Sequence, residues 1–395
     1  MNKVAIILPE SLPMPPVFGG AVENLTQLII EHNEYDKALS FLVYSKWAAE
    51  VKRSKISLNR TEYTYFKSNS YKKIIDLFLK IRRRLSRILF KKITPSLYEI
   101  ELYKILKRNN VKKVVLANCP YYSPYLNRKD EFHIIQYLHN DYINSITPQT
   151  ERVFKTSQQY IAVSNFIKER LQPICPHDAR IDVCYNGIDL MHFSEIRQEE
   201  VLLLKEKWNV GQGKVIVYAG RLADNKGVAE LIEAFSMIAD KHKDWKLVII
   251  GATTFSANTV DEYGKKLISL AENVGEQVIF TGYVDYNSIP NYFHASNLCI
   301  VPSQQFESFN LVSVEAQASG IPVIVSDAGG IIETVSNQSG IIIKRGRNFV
   351  SHLAENMENV LSDENLYKSM SIAAKENSKR FPSVAMCKRF IELVK

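Results

Sequence analysis

The sequence predicts two successive α/β domains, each built on a parallel β-sheet. The chain has 395 residues, and at about 100–200 residues per domain this length fits two domains that each bury a core. Two series of short apolar runs, typical of buried parallel strands, alternate with helical patterns along the chain. Ligands of open parallel sheets bind beyond the carboxyl ends of the strands. The cleft between the two domains is therefore the expected ligand site.

The first series of strands predicts a domain over residues 1–195. It opens with Lys3–Leu8, which ends at Pro9 and leads into a loop containing Gly19-Gly20, followed by a helical pattern. The later strand candidates are Ser40–Tyr44, Lys113–Ala117, Phe132–Leu138 and Tyr160–Val163. A turn signal at Asn186-Gly187-Ile188-Asp189 precedes a polar, charged helix that we interpret as the approach to a linker.

The second series predicts a domain over residues 196–382. It starts with the apolar run Lys214–Ala219, which Gly220 follows. The later strand candidates are Lys246–Ile250, Val278–Phe280, Leu298–Val301, Pro322–Val325 and Ile341–Ile343. Helical patterns recur between these runs, as at Val228–Asp240 and Leu311–Ser319. The same alternation of strands and helices thus occurs twice in the chain.

The composition argues against several classes of protein. With 16 Gly, 14 Pro and no low-complexity tract, the chain is neither fibrous nor mainly disordered. No run of 18 apolar residues predicts a membrane-spanning helix, and the apolar run at the start is too short for a signal peptide. The cysteines form no C-x-x-C motif; they are Cys119, Cys175, Cys184, Cys299 and Cys387. We therefore expect a cytoplasmic protein without a disulfide framework or a structural zinc site.

The positive charge is concentrated in one segment, residues 72–92. It holds nine basic residues against one acid, Asp76, and so accounts for the whole net charge of +8. At helical spacing, the apolar side chains fall on one face: Ile74, Leu77, Phe78, Ile81, Leu85, Ile88 and Leu89. The basic side chains of the opposite face are Lys73, Lys80, Arg83, Arg84, Arg87 and Lys91.

This segment has two interpretations. A basic amphipathic helix suits an anionic membrane surface, where each charge contributes about 1 kcal/mol. Alternatively, it is an ordinary domain helix with its apolar face packed inward and its basic face solvated. A nucleic acid is not expected as a partner, because no recognition motif accompanies the charge.

Two glycine-containing turns follow strand candidates and precede helices. They are Gly19-Gly20 and the segment from Gly220-Arg221 to Lys226-Gly227. Such turns leave backbone N–H groups free to receive an anion. Arg221 and Lys226 add a bidentate donor and a point charge, which together fit a diphosphate. The alternative is that both cations are simply solvated.

Two carboxylates, Glu307 and Glu315, flank the start of a predicted helix. Glu307 lies before the helix and Glu315 two turns inside it. Carboxylates in such places accept hydrogen bonds from the hydroxyls of a sugar or a ribose. Acids are also favoured near helix N-termini by the helix dipole alone, which is the structural interpretation. His139, at the carboxyl end of a strand candidate, is likewise open to a structural or a functional interpretation.

Several familiar catalytic motifs are absent from the sequence. It contains no H-E-x-x-H, P-loop, G-x-S-x-G or G-x-G-x-x-G. It also lacks a D-x-D pair, which would hold a divalent metal beside a diphosphate. No metal site is therefore expected.

Taken together, the motifs resemble those of the retaining glycosyltransferases of family 4, which have the GT-B fold. Five of them occur in the family order over most of the chain. They are Gly19-Gly20, His139-Asn140-Asp141, Asn186-Gly187-Ile188-Asp189, Gly220-Arg221 to Lys226-Gly227, and Glu307 to Gly330. The last contains an E-x7-E signature. The resemblance implies two Rossmann-like domains with parallel sheets facing across a cleft, an N-terminal acceptor-binding domain and a C-terminal nucleotide-sugar-binding domain. Its final helix, residues 383–395, would pack back on the first domain.

The resemblance also implies roles for individual residues. Arg221 and Lys226 would bind the donor diphosphate and stabilise charge on the leaving nucleotide. Glu315 would hold the ribose hydroxyls, and Glu307 the hydroxyls of the transferred sugar. Further donor contacts would come from Gly220 and from the amides of Phe309, Asn310 and Leu311, while Gly282, Tyr283 and Val284 would edge the base.

On the N-terminal side, Gly19 and Gly20 would form the loop between acceptor and donor phosphate. His139 would lie near the sugar. The sequence departs from the family at two places: Asn310 stands where Gly is usual, and Gly251-Ala252-Thr253-Thr254 replaces a G-x-G. Both departures concern the expected donor site.

The implied function is transfer of a sugar, with retention, from a nucleoside diphosphate sugar to an acceptor hydroxyl. No cofactor or metal is expected, and a UDP-sugar is favoured over a GDP-sugar as donor. The acceptor sugar, lipid-linked or soluble, would belong to bacterial surface polysaccharide or glycolipid assembly, in the cytoplasm or at the inner face of the membrane. Two alternatives stay open: a sugar-nucleotide epimerase and a non-catalytic GT-B partner subunit.

Overall fold

The computed structural model describes residues 3–53, 58–72, 74–75, 77–79, 81–82, 94–147, 149–252 and 261–395. The chain divides into two compact units. Unit 1 comprises Met1–Tyr185 and Val384–Lys395, and unit 2 comprises Asn186–Ser383. Each unit contains its own parallel sheet.

Unit 1 has a seven-stranded sheet in the order β3-β2-β1-β4-β5-β6-β7, and every pairing in it is parallel. The strands are β1 (Lys3–Ile7), β2 (Ser40–Lys46), β3 (Thr61–Phe66), β4 (Lys113–Ala117), β5 (His133–Leu138), β6 (Gln159–Ala162) and β7 (Arg180–Val183). The helices with defined bounds are α1 (Ala21–Asp36), α2 (Leu97–Arg108), α3 (Ser123–Leu126), α4 (Thr150–Thr156), α5 (Asn165–Leu171) and the final helix α14 (Ser383–Val394).

Helix α2 shows how the sequence forms this unit. Ser96 and Glu99 make a capping box that satisfies the free N–H groups at the start of the helix. The helix buries Leu102 and Leu106, four residues apart, on the face that packs against the sheet. Tyr98 is also buried on this helix, and its hydroxyl donates a hydrogen bond to the Leu8 carbonyl at 2.9 Å. The helix is thereby held beside the carboxyl end of β1.

The last helix of the chain, α14, belongs to unit 1. The Lys113 ammonium donates a hydrogen bond to the Val394 carbonyl at 2.7 Å, and the Gln159 amide donates one to Leu393 at 3.1 Å. The rings of Tyr137 and Phe390 lie 5.2 Å apart between centroids. These contacts attach the C-terminus to strands β4, β5 and β6.

Unit 2 has a six-stranded parallel sheet in the order β10-β9-β8-β11-β12-β13. The strands are β8 (Val215–Ala219), β9 (Lys246–Ile250), β10 (Val278–Gly282), β11 (Leu298–Val301), β12 (Val323–Ser326) and β13 (Gly340–Ile343). The helices are α6 (Leu190–Ser194), α7 (Gln198–Lys207), α8 (Val228–Ala239), α9 (Glu262–Glu272), α10 (Ile289–His294), α11 (Leu311–Ala318), α12 (Phe349–Ser362) and α13 (Glu364–Ser378).

The core of unit 2 is formed largely by α8 and α12 against the sheet. Leu231 and Phe235 of α8 are fully buried, and so are Leu353 and Met357 of α12. In both helices these residues are four positions apart, so each helix presents an apolar stripe.

The division between the units falls after Tyr185, whereas the sequence-based boundary stood at residue 195. The reason is helix α6, which packs on unit 2. Its Phe193 is fully buried, with its ring 5.8 Å from that of Tyr286 and 6.3 Å from that of Phe293. The Ser319 hydroxyl also donates a hydrogen bond to the Phe193 carbonyl at 3.0 Å. Helix α6 therefore belongs to unit 2.

The basic segment is helical wherever the structure describes it, at 72, 74–75, 77–79 and 81–82. All six side chains of the basic face lie outside the described residues, which do not include Lys73, Lys80 or residues 83–92. The apolar side chains Ile74, Leu77, Phe78 and Ile81 are 53–71 % exposed. The expectation for an ordinary domain helix, with the apolar face packed inward, does not hold for these four residues.

Among the described residues, no helix combines the length and the apolar character needed to cross a bilayer.

Candidate active site

Glu307 lies at the centre of a cluster of polar side chains in unit 2. It lies in the loop between β11 and α11, and its carboxylate accepts two hydrogen bonds on Oε1. Lys226 donates from Nζ at 2.6 Å, and Ser303 donates from its hydroxyl at 2.7 Å. Both Lys226 and Glu307 are mostly buried, with 26 % and 14 % of their side chains exposed. Two donors on one oxygen hold the carboxylate in a single orientation.

The main chain of Glu307 is fixed as firmly as its side chain. Its N–H donates to the Ala328 carbonyl at 2.8 Å, and its carbonyl accepts from Gly330 at 2.7 Å. Glu307 thus forms an isolated parallel bridge with Gly329. The Gly329-Gly330 part of the predicted motif therefore supports the loop that carries Glu307.

Gly227 allows Lys226 to reach Glu307. Its φ is +73°, and a Cβ at this position would lie 2.0 Å from the Pro302 carbonyl oxygen. Only glycine fits such a left-handed conformation at so close a backbone contact. Beside it, the N–H of Gln304 donates to the Asn225 carbonyl at 2.9 Å. The turn before α8 is thereby joined to the Glu307 loop.

Glu315 lies inside α11 and is only 4 % exposed. The Tyr286 hydroxyl donates a hydrogen bond to its Oε1 at 3.0 Å. Burial raises the pKa of Glu315 to about 7, and the hydrogen bond from Tyr286 offsets only part of that rise. Burial together with the nearby Glu315 also raises the pKa of Tyr286 far above its ordinary value. Glu315 therefore changes charge near neutral pH.

Asn310, the departure from the family pattern, caps helix α11. Its side chain accepts a hydrogen bond from the N–H of Ser313 at 2.8 Å, and its φ of −124° suits any residue. The side chain of an asparagine at this position makes the N-cap hydrogen bond, which a glycine cannot make. Phe309 is buried with its ring 5.4 Å from Phe381, and Leu311 is the first residue of the helix. The backbone N–H groups at these positions are suited to contact an anion.

Arg221 is exposed just after β8. Its carbonyl accepts a hydrogen bond from the Tyr218 hydroxyl at 2.9 Å. Gly220 comes close to Gly251, where a Cβ would lie 1.8 Å from the Gly220 carbonyl oxygen. Gly251, which this chain retains from the expected G-x-G, is therefore required for steric reasons. Thr253 and Thr254 lie outside the described residues.

Gly282, Tyr283 and Val284 follow at the end of β10. The Gly282 carbonyl accepts a hydrogen bond from Gly251 at 2.9 Å, so this loop lies beside the Gly220 turn. The ring of Tyr283 is mostly exposed. A pocket of about 440 Å³ adjoins the loop, and its lining includes Tyr283, Val284 and, from α7, Glu200 and Lys207.

The remaining predicted residues lie in unit 1. His139 follows β5 and is 8 % exposed; burial lowers its pKa to about 3, so its imidazole is neutral at physiological pH. Gly19 and Gly20 precede α1 with φ values of +72° and +106°. A Cβ on Gly20 would lie 2.3 Å from a carboxylate oxygen of Glu23, a buried acid that the sequence analysis did not single out.

The structure brings some of the predicted residues together and adds others. Lys226 contacts Glu307 directly, whereas the Arg221 carbonyl and the Glu315 carboxyl group each accept a hydrogen bond from a tyrosine. Sequence reasoning missed Tyr286 and Ser303. Ser303 had a weak signal, a hydroxyl four residues before Glu307 in one loop, but Tyr286 had none. No group of three or more His, Cys, Asp or Glu that could hold a metal ion occurs within the described parts of the chain.

Known proteins resemble this chain over nearly its whole length. A family model described as glycosyl transferases group 1 matches residues 203–377. The putative glycosyltransferase YtcC of Bacillus subtilis is 25 % identical over 95 % of this chain and 87 % of its own. A lipopolysaccharide 1,2-N-acetylglucosaminetransferase of Salmonella typhimurium is 27 % identical over 85 % of this chain and 83 % of its own.

A solved structure shows the same fold. The crystal structure of Anabaena Alr3699/HepE in complex with UDP-glucose matches with a TM-score of 0.77 and 18 % identity, covering 99 % of this chain and 98 % of that one. The expected GT-B fold of two Rossmann-like domains is confirmed. The chain is therefore a glycosyltransferase, and its residues 203–377 match the model of the glycosyl transferases group 1 family.

Proposed function

We propose that this protein is a retaining glycosyltransferase of family 4 that moves a sugar from a UDP-sugar to an acceptor hydroxyl. The observation that carries the proposal is the contact between Lys226 and Glu307 at 2.6 Å. It joins a cation suited to a phosphate and a carboxylate suited to sugar hydroxyls, at the carboxyl ends of two strands of one parallel sheet. That edge is where such sheets bind ligands.

Lys226 and Arg221 bind the diphosphate in this proposal. An ammonium group can donate three hydrogen bonds, and Glu307 accepts one of them from Lys226. The others remain for phosphate oxygens, so Lys226 can hold donor and carboxylate together. Negative charge grows on the diphosphate as the sugar leaves, and cations placed in advance stabilise that charge. The amides of Phe309, Asn310 and Leu311 add backbone donors, whereas the N–H of Gly220 already donates to the Ile250 carbonyl at 3.0 Å.

Glu307 and Glu315 bind the two sugar rings of the donor. Glu307 accepts hydrogen bonds from hydroxyls of the transferred sugar, in the orientation set by Lys226 and Ser303. Glu315 accepts from the ribose hydroxyls, while Gly282, Tyr283 and Val284 border the base. The fold shared with HepE, whose structure contains UDP-glucose, supports a UDP-sugar over a GDP-sugar.

The chemical step needs no protein nucleophile and no metal in this proposal. The bond between the anomeric carbon and the phosphate oxygen breaks, and its electron pair stays on the leaving UDP. The acceptor oxygen attacks the same face, and its proton passes to the departing phosphate oxygen. The configuration at the anomeric carbon is thereby retained, through a transition state of oxocarbenium character.

Unit 1 supplies the acceptor side in this proposal. The neutral imidazole of His139 can exchange a hydrogen bond with a sugar hydroxyl, and Gly19 and Gly20 form a loop close to the phosphate and the acceptor. The Salmonella relative, which by name acts on lipopolysaccharide, supports an acceptor of the surface polysaccharide or glycolipid class.

The site of action in this proposal is the cytoplasmic face of a membrane. The four exposed apolar residues of the basic segment, Ile74, Leu77, Phe78 and Ile81, support it. They stand in a segment with eight more positive than negative charges. Apolar side chains on one face and cations on the other fit an anionic lipid surface.

The test is donor turnover. Purified protein is incubated with a panel of UDP-, GDP- and ADP-sugars, and released nucleotide is measured for the wild type, Glu307→Ala and Lys226→Ala. We expect slow hydrolysis of one UDP-sugar, reduced about 10²–10³-fold in both variants. Lys243→Ala is the matched control, because Lys243 forms an exposed ion pair with Asp240 on the surface of the same unit. Absence of both turnover and nucleotide binding in the wild type would refute the proposal.

A further inference from the structure

Arg345 connects two loops of unit 2 that are distant in sequence. It lies between β13 and α12, with its side chain 25 % exposed. Its Nε donates to Oδ1 of Asp327 at 2.7 Å, and its Nη1 donates to the Gln304 carbonyl at 2.9 Å. The backbone N–H of Arg345 also donates to Oδ1 of Asp327, at 3.0 Å. One side chain therefore binds the loops that follow both β11 and β12.

Asp327 is the fixed end of this connection. It follows β12, and its N–H donates to the Ile343 carbonyl at 3.0 Å. Burial alone would raise the pKa of Asp327, but the hydrogen bonds and the charge of Arg345 outweigh burial and keep the pKa below its usual range. Asp327 therefore stays ionised near neutral pH, and Arg345 stays paired with it.

The other end of the connection is the loop that carries Glu307. Gln304, whose carbonyl Arg345 binds, lies three residues before Glu307. The guanidinium group also lies 5.2 Å from the ring centroid of Phe306, in cation–π contact, although that ring is 58 % exposed. Arg345 thus contacts the chain on the amino-terminal side of Glu307, at two points. Ala328 and Gly330 bind the backbone of Glu307 itself, as described above.

We propose that Arg345 is a positioning residue for sugar transfer, which holds segment 304–306 so that Glu307 meets the transferred sugar in the right orientation. This inference rests on the proposed function of Glu307. The planar guanidinium fork donates to an Asp327 oxygen and the Gln304 carbonyl simultaneously, a geometry that a lysine does not reproduce. The competing explanation is an ion pair that stabilises the fold and leaves the reaction unaffected.

The two explanations predict different kinetics. A positioning residue acts on the orientation of Glu307, and a displacement of about 1 Å can reduce rates by up to about 10²-fold. We expect Arg345→Gln to lower kcat about 10- to 100-fold, with the KM for the donor and the affinity for UDP changed less than about threefold. Arg345→Lys, which keeps the charge beside Asp327, should lose activity in the same direction and remain folded.

The experiment measures kcat, KM and UDP affinity for the wild type, Arg345→Gln and Arg345→Lys, together with amide hydrogen exchange of residues 303–308. Arg347→Gln is the matched control, because Arg347 is exposed in the same loop. Faster exchange at 303–308 with reduced kcat would support the role. Unchanged kcat in both Arg345 variants of an active enzyme would overturn it, as would loss of stability without loss of kcat. Wild-type protein that turned over no nucleotide sugar would instead refute the proposed function, and this role with it.

Discussion

The Tyr286 hydroxyl donates a 3.0 Å hydrogen bond to Glu315, a carboxyl group whose pKa burial raises to about 7. In the unfolded chain this group ionises near its ordinary value of 4.5. Between these two pH values the folded state binds more protons than the unfolded state. The contribution of Glu315 to the free energy of unfolding is therefore fully present below about pH 4.5 and is lost as the pH rises to about 7.

Glu315→Gln should remove this pH dependence. Glutamine does not titrate and keeps an oxygen that can accept from Tyr286. We expect the free energy of unfolding of the wild type to fall, relative to the variant, by on the order of 2–3 kcal/mol between pH 4.5 and 8. Urea unfolding at pH 5, 6, 7 and 8 measures the difference, and parallel curves for the two proteins would contradict it.

The inner strands of both sheets were predicted from the sequence. All six strands of unit 2 and five of the seven in unit 1 correspond to continuous apolar runs. The two that were missed, β3 and β7, are the edge strands of the unit 1 sheet. Both are only partly buried and mix polar with apolar residues, as TEYTYF and RIDV, whereas the edge strands of unit 2, β10 and β13, are mainly apolar. The signal of a buried strand is therefore absent from β3 and β7.

The candidate site was predicted where its residues lie in local motifs. Lys226 and Glu307 each stand in a recognisable segment, and the structure brings them into contact. Tyr286 and Arg345 were missed because neither stands in such a segment, and their partners Glu315 and Asp327 lie 29 and 18 residues away. Such contacts depend on how loops meet at the end of a folded sheet, which neither periodicity nor spacing reveals.

Ser303→Ala should remove one of the two hydrogen bonds to the Glu307 carboxylate and keep the one from Lys226. The Ser303 hydroxyl is buried and donates to the same carboxylate oxygen as Lys226, at 2.7 Å. Loss of one hydrogen bond to a charged group corresponds to about 1.5–3 kcal/mol. We therefore expect kcat/KM for donor turnover to fall about 10- to 100-fold, less than in Glu307→Ala.

Ser351→Ala is the matched control for this prediction. The Ser351 hydroxyl is exposed and bonds only locally, to the Asn348 carbonyl at 3.0 Å. Its removal should leave kcat/KM unchanged. Equal effects of the two serine variants on kcat/KM would mean that the Ser303 hydrogen bond does not orient Glu307.

The exposed apolar face of the basic segment should bind anionic vesicles. In flotation with vesicles of mixed phosphatidylglycerol and phosphatidylcholine, we expect the wild type to float at low salt and to be released as salt rises. The double variant Leu77→Ser, Phe78→Ser should float less because two of the four exposed apolar side chains are lost. Pure phosphatidylcholine should retain little protein.

The control for the membrane prediction is an equally exposed apolar residue elsewhere. Ile372 on α13 of unit 2 is 72 % exposed, which matches Phe78. Ile372→Ser should leave flotation unchanged. Wild-type protein that stayed at the bottom of the gradient with anionic vesicles would show that the basic segment does not bind membranes.

Gly227→Ala should lower both the stability of the fold and donor turnover. Gly211→Ala is the control that separates backbone strain from the steric contact. Both glycines have positive φ, +73° and +57°, so alanine is strained at either position by about 1–2 kcal/mol. Only at Gly227 would the new Cβ also meet a backbone oxygen, that of Pro302 at 2.0 Å, because Gly211 has open space around it. Urea unfolding should therefore show a larger loss for Gly227→Ala, and donor turnover should fall only in that variant, since the displaced turn carries Lys226. Equal losses of stability with turnover kept in both variants would mean that the close contact at Pro302 is not needed to bring Lys226 to Glu307.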